Sequence, residues 1–303
     1  WHCIEVIYMS LLSSICLVRQ KIGHKRDYTI YSVKFVAVCN KGMKFMLKSN
    51  ISSSRPCGRP FFTVVTVCLN TPNLEKTCNS VIKQNFNAYE WIVIDGGSGP
   101  ETMKLWQAYK THIHYFVSEP DGGIYAAMNK GIAQARGEYL IFMNGGDWFA
   151  NRHILGLAHE ELAANPTIDV LYGETNTPFD GYNNLSHTPS EERIEETLFV
   201  GNLRHQASFI RRQCFEMYGG YDVNHKISSD WKYFATLHLH GAIFLRWNCI
   251  VANCSPFGIS WNKCECMLDH KRAMDEVYSR AEQAVLRKKY VFDKLRAAKA
   301  HKL

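Results

Sequence analysis

Phe61-Phe62-Thr63-Val64-Val65-Thr66-Val67-Cys68-Leu69 is a β-branched, nearly continuous apolar run. A strand carries such a run where both of its faces are covered. The turn Asn70-Thr71-Pro72-Asn73 then leads into a helix predicted over residues 74–84. Tyr89 to Ile94 is a second buried strand, ending in Asp95-Gly96-Gly97-Ser98-Gly99-Pro100, followed by a helix over 101–110 and a strand over 113–117. Pro120-Asp121-Gly122-Gly123 makes a turn. A helix follows over 124–135, with Ile124, Ala127/Met128 and Ile132 on one side, Gly131 as a mild flaw and Gly137 as its stop. A strand over 138–143, a helix over 152–164 and a strand over 169–172 complete the series. Strand and helix alternating through short loops predict an α/β fold: a three-layer α/β/α sandwich with a mainly parallel central sheet.

Past Gly173 the rhythm breaks. Residues 174–189 are polar and turn-rich, suited to a mobile loop. A strand is expected over 206–210, a helical turn over 211–217, a helix over 228–240, separate strands around Ile243 and Ile250, and one long basic helix from Leu268 onward. Three regions follow from this: an atypical extension over 1–58, an α/β domain over 59–260 and a basic helical segment over 261–303. The extension mixes basic residues, aromatics and cysteine without a lasting period, and two expectations stand for it: a true start at Met43 or Met46, or a genuine, poorly ordered extension.

Hydrophobic residues make up 46% and aromatics 13% of the 303, ample for a core. The net charge of +7 is concentrated toward both ends, which suggests an anionic partner near a terminus and argues against a nucleic-acid-binding fold. Eleven cysteines, scattered and without a zinc-type C-x-x-C pair, read as reduced thiols in a cytosolic protein. Val6 to Val18, the longest apolar stretch, is too short to span a bilayer and lacks the basic leader of a signal peptide.

Three acids fall at loop positions after strands or in turns, Asp95, Asp121 and Asp147, and a fourth, Asp230, follows Ser228-Ser229 near a helix start. Open α/β sheets bind ligands at the carboxyl ends of their strands. The first strand-to-helix turn has no G-x-G-x-x-G, and no G-x-x-x-x-G-K-[ST] occurs, so phosphate charge must be met without a glycine cradle. A divalent cation does this with one or two protein carboxylates, and Asp147 alone suffices. Asp95 and Asp230 also have ordinary readings, as a turn residue and as a helix cap. His112-x-His114 and His238-x-His240 read as structural.

Thr66-Val67-Cys68-Leu69-Asn70, Ile94-Asp95-Gly96-Gly97-Ser98 and Ser118-Glu119-Pro120-Asp121 occur in order. After them come Gly123-Ile124-Tyr125, Ala127-Met128-Asn129-Lys130-Gly131, Asn144-Gly145-Gly146-Asp147, His205-Gln206-Ala207 and Ser229-Asp230. With this ordered set the chain from Phe61 to about Phe257 resembles the inverting glycosyltransferase family 2, of GT-A fold, and in particular bacterial exopolysaccharide transferases of the colanic-acid type. The resemblance implies transfer of a sugar from a UDP- or GDP-sugar to a saccharide or polyprenyl-linked saccharide. It implies Asn70, Asp95, Asp121, Asn129, Lys130, Asp147 and His205 as nucleotide-sugar-binding residues, with Asp95 on the nucleoside. Asp147 is then the ligand of Mg²⁺ or Mn²⁺ and Asp230 the general base. Where the family has two or three aspartates in its metal motif, glycines stand here before Asp147. The basic C-terminal helix either packs on the domain or touches anionic lipid, which places the protein in the cytoplasm or peripherally on the cytoplasmic face of a membrane. Two other functions compete: a non-catalytic nucleotide-sugar-binding protein, and a sugar-1-phosphate nucleotidyltransferase, which needs a glycine-rich basic loop that Asn70-Thr71-Pro72-Asn73 does not supply.

Overall fold

A computed structural model of the chain describes residues 58–179, 182–186, 188–256 and 263–292. The expected extension and its alternative start at Met43 or Met46 lie outside the described residues. The α/β alternation is present. Strand β1 (Phe62–Cys68) is buried along its whole length, as its β-branched run requires. After it come α1 (Leu74–Ile82), β2 (Tyr89–Asp95), α2 (Pro100–Tyr109), β3 (Tyr115–Ser118), α3 (Ile124–Gln134), β4 (Tyr139–Phe142), β5 (Trp148–Phe149), α4 (Ile154–Ala164) and β6 (Val170–Asn176). The rest comprises α5 (Ile194–Val200), a 3₁₀ turn at His205–Ala207, β7 (Ser208–Arg211), α6 (Arg212–Tyr218), α7 (Ser229–Leu239), β8 (Phe244–Asn253), α8 (Lys263–Val277) and α9 (Arg280–Arg287).

The strands form one sheet in the order β3-β2-β1-β4-β7-β6-β8-β5. β1 pairs in parallel with β2 and β4, β2 with β3, and β6 with β8. β7 enters antiparallel between β4 and β6, and β5 caps the far edge antiparallel to β8. Two buried clusters flank the sheet. Val64, Trp91, Ile141 and Phe209 belong to one, and Val65, Ile92, Met128 and Phe142 to the other.

Several local expectations change. Gly131 is no flaw in α3: a Cβ there would lie 2.4 Å from Val65 Cγ1, so the missing side chain is what lets α3 sit flush on β1. Gly137 does more than follow a helix end, since a Cβ would meet the Thr63 amide nitrogen at 2.5 Å. Residues 174–176 extend β6, and the bridges Asn176–Leu185 and Phe179–Tyr182 order part of the expected mobile loop. Helix α5 was not anticipated. The strands expected around Ile243 and Ile250 are one strand, β8, whose pairing with β6 shifts register near Glu174.

The basic segment also differs. Ser279 caps a new helix, its hydroxyl accepting from the Glu282 amide while Glu282 accepts from the Ser279 amide. This capping box divides the single helix expected from Leu268 into α8 and α9. Ala273, Tyr278 and Leu286 bury against Phe199 of α5 and Trp231 of α7. Val285, placed on the apolar stripe by periodicity, is 65% exposed. Lys271, Arg272 and Lys289 pair with Asp275, Asp269 and Glu195, so part of the basic face is neutralised locally. Among the described residues no helix is long and apolar enough to cross a membrane.

The glycine result gives a prediction opposite in sign to helix propensity. Gly131→Ala, which gains about 1 kcal/mol in an exposed helix, is expected to lower stability by about 1–3 kcal/mol through overpacking against Val65. Urea denaturation of a double-mutant cycle with Val65→Ala checks it: the cost of Gly131→Ala should shrink once the Val65 methyls are gone.

Candidate functional site

Parallel register aligns Cys68 with Asp95 and Asp95 with Ser118, so the loops leaving β1, β2 and β3 share one edge of the sheet. β1 lies between β2 and β4, where the chain reverses its direction of travel across the sheet, and a crevice opens at such a point. Asn70, with φ of 47°, ties two of these loops: its amide donates to Ser98 Oγ at 2.8 Å and its Oδ1 accepts from the Gly99 amide at 2.8 Å. Asp121 closes its own turn by accepting from the Gly123 amide at 2.8 Å. Its Oδ2 lies 3.0 Å from where a Cβ on Gly96 would stand. The first two loops and the Asp121 turn therefore form one rim.

Asp95 is 0% exposed. It accepts from the Gly97 and Ser98 amides (3.1 and 2.8 Å), from Ser118 Oγ (2.6 Å) and from Trp106 Nε1 (3.3 Å). Burial opposes its charge, but these bonds outweigh it and hold the carboxyl below its usual range. Three of these donors crowd Oδ2 and only Trp106 reaches Oδ1, so Oδ1 keeps room to accept a further bond. The side chain shapes the Gly97–Ser98 loop. Asn129 is likewise engaged: its Oδ1 accepts from the Tyr221 amide at 2.8 Å and its Nδ2 donates to the Tyr221 carbonyl at 2.7 Å. It fastens the Gly219-Gly220-Tyr221 turn to α3. Lys130 pairs with Glu119 at 2.7 Å on the surface.

The Asn144–Asp147 loop lies against the Thr71–Pro72 loop without room for side chains between. A Cβ on Gly145 would meet Thr71 Oγ1 at 3.1 Å, and Gly146, with φ of +92°, would meet Thr71 Cγ2 at 3.1 Å. Close packing thus accounts for glycine where a second or third aspartate was expected. Asp147 is 6% exposed, accepting from the Ser255 amide at 2.9 Å and from Gln206 Nε2 at 3.1 Å. Burial pushes its carboxyl above the ordinary range, only partly offset by those two bonds.

His205 and Gln206 connect this loop to Asp230. While Gln206 holds Asp147, His205 reaches the other way: Nδ1 stands 2.9 Å from Asp230 Oδ2 and Nε2 3.0 Å from Asn144 Nδ2. The carboxylate can only accept, so Nδ1 donates and Nε2 is left to accept from the Asn144 amide. Asp230, 6% exposed, also takes hydrogen bonds from the Trp231 amide (2.8 Å), from Tyr125 OH (3.1 Å) and from exposed Asn202 (3.3 Å). Burial opposes its charge, but the His205 and Trp231 bonds outweigh burial, and the carboxyl stays below its usual range.

Four contributors fall outside the expected site residues. Gln206 adjoins the expected His205 and Asn144 opens the motif of Asp147, so both were within sight of the sequence. Tyr125 lies within the Gly123-Ile124-Tyr125 motif, though its bond to Asp230 comes from tertiary packing, and Ser255 carries no local signal. The Oδ1 of Asn144 is buried without a hydrogen-bond partner. Hard oxygens from Asp147 and Asn144 suit Mg²⁺ or Mn²⁺, which complete their shells with water and phosphate. A group of three metal-type side chains, Asp222, His225 and Glu276, lies elsewhere, with the Lys232 ammonium already bonded to both of its acids.

A model of glycosyl transferase family 2 matches residues 63–217. An uncharacterized glycosyltransferase of Mycobacterium tuberculosis is 32% identical over 176 residues, covering 56% of this chain and 66% of that protein. The chain thus spans slightly less than two thirds of that relative. A PGL/p-HBAD biosynthesis glycosyltransferase of Mycobacterium bovis is 26% identical over 209 residues, covering 66% of this chain and 78% of the relative. Among solved structures, S. aureus TarS 1-349 in complex with UDP-GlcNAc superposes with a TM-score of 0.60 at 16% identity, over 76% of this chain and 71% of that one. The mannosyltransferase PcManGT of Pyrobaculum calidifontis, in complex with GDP-Man and Mn²⁺, gives 0.55 at 16% identity, over 77% and 69%. At that identity the two structures show a shared fold.

The raised Asp147 carboxyl has a consequence for stability. The fold favours its protonated form, so the contribution of this group falls as pH rises from the ordinary carboxyl range through its folded-state value. At neutral pH the ionised side chain is a net cost. Asp147→Asn, with the Gln206 amide turned to match, is therefore expected to raise the melting temperature at pH 7 by about 2–4 °C. The gap should narrow toward pH 4, as calorimetry across that range would show.

Proposed function

The chain belongs to glycosyl transferase family 2, and we propose that it moves a sugar from a nucleotide-diphosphate donor, a UDP- or GDP-sugar, to a saccharide or lipid-linked saccharide with inversion. The observation that carries this reading is the His205–Gln206 pair, which ties a carboxylate on the donor side, Asp147, to a carboxylate on the opposite side, Asp230. Relatives named as glycosyltransferases, and folds seen with UDP-GlcNAc and with GDP-Man and Mn²⁺, support the donor class.

In this proposal the rim of Asn70, Gly96 and Asp121 receives the nucleoside, with Asp95 setting the shape of its loop. Asp147, joined by Asn144 Oδ1, would hold a divalent cation. When bound, such a cation stabilises the leaving diphosphate as a Lewis acid. The acceptor hydroxyl oxygen attacks the anomeric carbon from the face opposite the diphosphate. A new C–O bond forms, the bond to the diphosphate oxygen breaks with its electron pair leaving on phosphate, and the hydroxyl proton passes to Asp230. Asp230 is ionised at neutral pH, as a base must be. Of its four donors Asn202 is the most distant and is exposed, so an acceptor hydroxyl displaces Asn202 at the least cost. His205 keeps the carboxylate turned toward that opening. The first turn, Asn70-Thr71-Pro72-Asn73, still lacks the basic glycine loop of a nucleotidyltransferase.

Asp230→Asn tests the base. Transfer is expected to fall by about 10²–10⁴-fold, while the shift in melting temperature produced by UDP- or GDP-sugars with Mn²⁺ stays as in the parent. Parent-like transfer by the variant refutes the assignment. Donor-induced shifts without any transfer by the parent protein favour a binding protein, and shifts indifferent to Mn²⁺ remove Asp147 as a ligand.

A further inference from the structure

Helix α8 lies beyond residue 217, where the family match ends, yet it sends a buried carboxylate to the backbone immediately before Asp230. Asp269 is 3% exposed. Its Oδ2 accepts from the Ile227 and Ser228 amides, both at 2.9 Å. Its Oδ1 accepts from Arg272 Nη2 at 2.7 Å and faces His225 Nδ1 at 3.3 Å. Burial opposes charge on Asp269, but the two amide bonds together with those from Arg272 and His225 outweigh it and hold the carboxyl below its usual range.

The need for this carboxylate is visible in α7. Ser228 stands at the N-cap of that helix, but its side chain makes no capping bond, and an uncapped helix start leaves amides without partners. The third amide of α7, that of Trp231, donates to Asp230 itself at 2.8 Å. The Ile227 and Ser228 amides donate to Asp269. On its other side the same turn is held by Tyr125, whose hydroxyl lies 2.7 Å from the Ile227 carbonyl and 3.1 Å from Asp230 Oδ1. Residues 227–230 are therefore gripped between α3 and α8. Two further contacts fix α8 relative to α7: the Trp231 ring meets His270 edge-on with centroids 4.4 Å apart, and Lys232 bonds Glu276.

We infer that Asp269 is a positioning residue for sugar transfer, holding the Ile227–Ser228 turn so that Asp230 keeps the orientation set by His205. The inference rests on Asp230 being the base. It makes the C-terminal helix part of the reaction machinery as well as a cover for the core. Asp269 touches no reacting atom and acts through backbone geometry alone. Small displacements of a catalytic group cost rate out of proportion to stability, so the effect falls on turnover.

The test uses the full chain, with UDP release from UDP-GlcNAc or GDP release from GDP-mannose as the rate, chosen by whichever donor raises the melting temperature. Asp269→Ala is expected to lower kcat by about 10–100-fold with the donor KM within about twofold, measured well below the melting temperature. Amide hydrogen exchange should quicken at Ile227, Ser228 and Trp231. Asp269→Asn, which keeps one accepting oxygen, should recover part of the rate. It carries the test if the alanine variant does not fold. A parent-like kcat in whichever variant folds overturns the inference and leaves Asp269 a fold-stabilising residue, whose loss lowers melting temperature alone. Asp230→Asn run alongside separates the two ideas. If it is inactive while the Asp269 variants turn over normally, only positioning fails; if it retains parent activity, the base assignment fails and the positioning role with it.

Discussion

Strand β1 takes three of its closest approaches at positions that bring no side chain, and much of the architecture follows from that constraint. Gly131 on α3 abuts Val65, Gly137 ahead of β4 abuts Thr63, and Gly145 after β4 abuts Cys68 and Thr71. These approaches place a helix, the start of a strand and a functional loop directly on the same seven residues. A buried polar strut accompanies them: Glu90 accepts from Thr63 Oγ1, from the amides of Arg136 and Gly137 and from Arg136 Nε. That satisfies a carboxylate which would otherwise be costly to bury. With β4 pressed against β1 in parallel register, its exit loop delivers Asn144 and Asp147 beside the loop leaving β1.

The two carboxylates of the candidate site sit in contrasting surroundings. Asp147 is buried with two donors and its carboxyl is driven upward, while Asp230 is equally buried but has four donors and is driven downward. Environments that push two acids in opposite directions are a recurrent way of dividing labour between them. The cost of keeping Asp147 ionised is the sort of local expense that a bound cation would relieve. Asp230 is stabilised by the protein itself, through groups drawn from α3, from the 3₁₀ turn and from its own helix.

Much of this was legible in the sequence, for a specific reason. The β-branched runs at Phe62–Cys68 and Tyr89–Asp95 and the turns between them are local signals, and they carry the parallel half of the fold and the loops that bear Asn70, Asp95, Asp121 and Asp147. What escaped depends on contacts distant in sequence. The pair of bonds between Asn129 and Tyr221 has no local mark. Gly131 looks like a helix defect until Val65 is seen beneath it. β7 entering antiparallel between β4 and β6 has no local mark, and neither does the merging of two apparent strands into β8. The Ser279-x-x-Glu282 box is different: the sequence displays it, and it divides the basic segment into two helices.

His205 and Gln206 are consecutive residues of a single 3₁₀ turn, so their side chains are aimed by one short piece of backbone. The imidazole bonded to Asp230 and the amide bonded to Asp147 are therefore carried by the same backbone. The contact to Asp147 and the contact to Asp230 thus share one anchor, and the two carboxylates, though far apart in sequence, are referenced to the same turn.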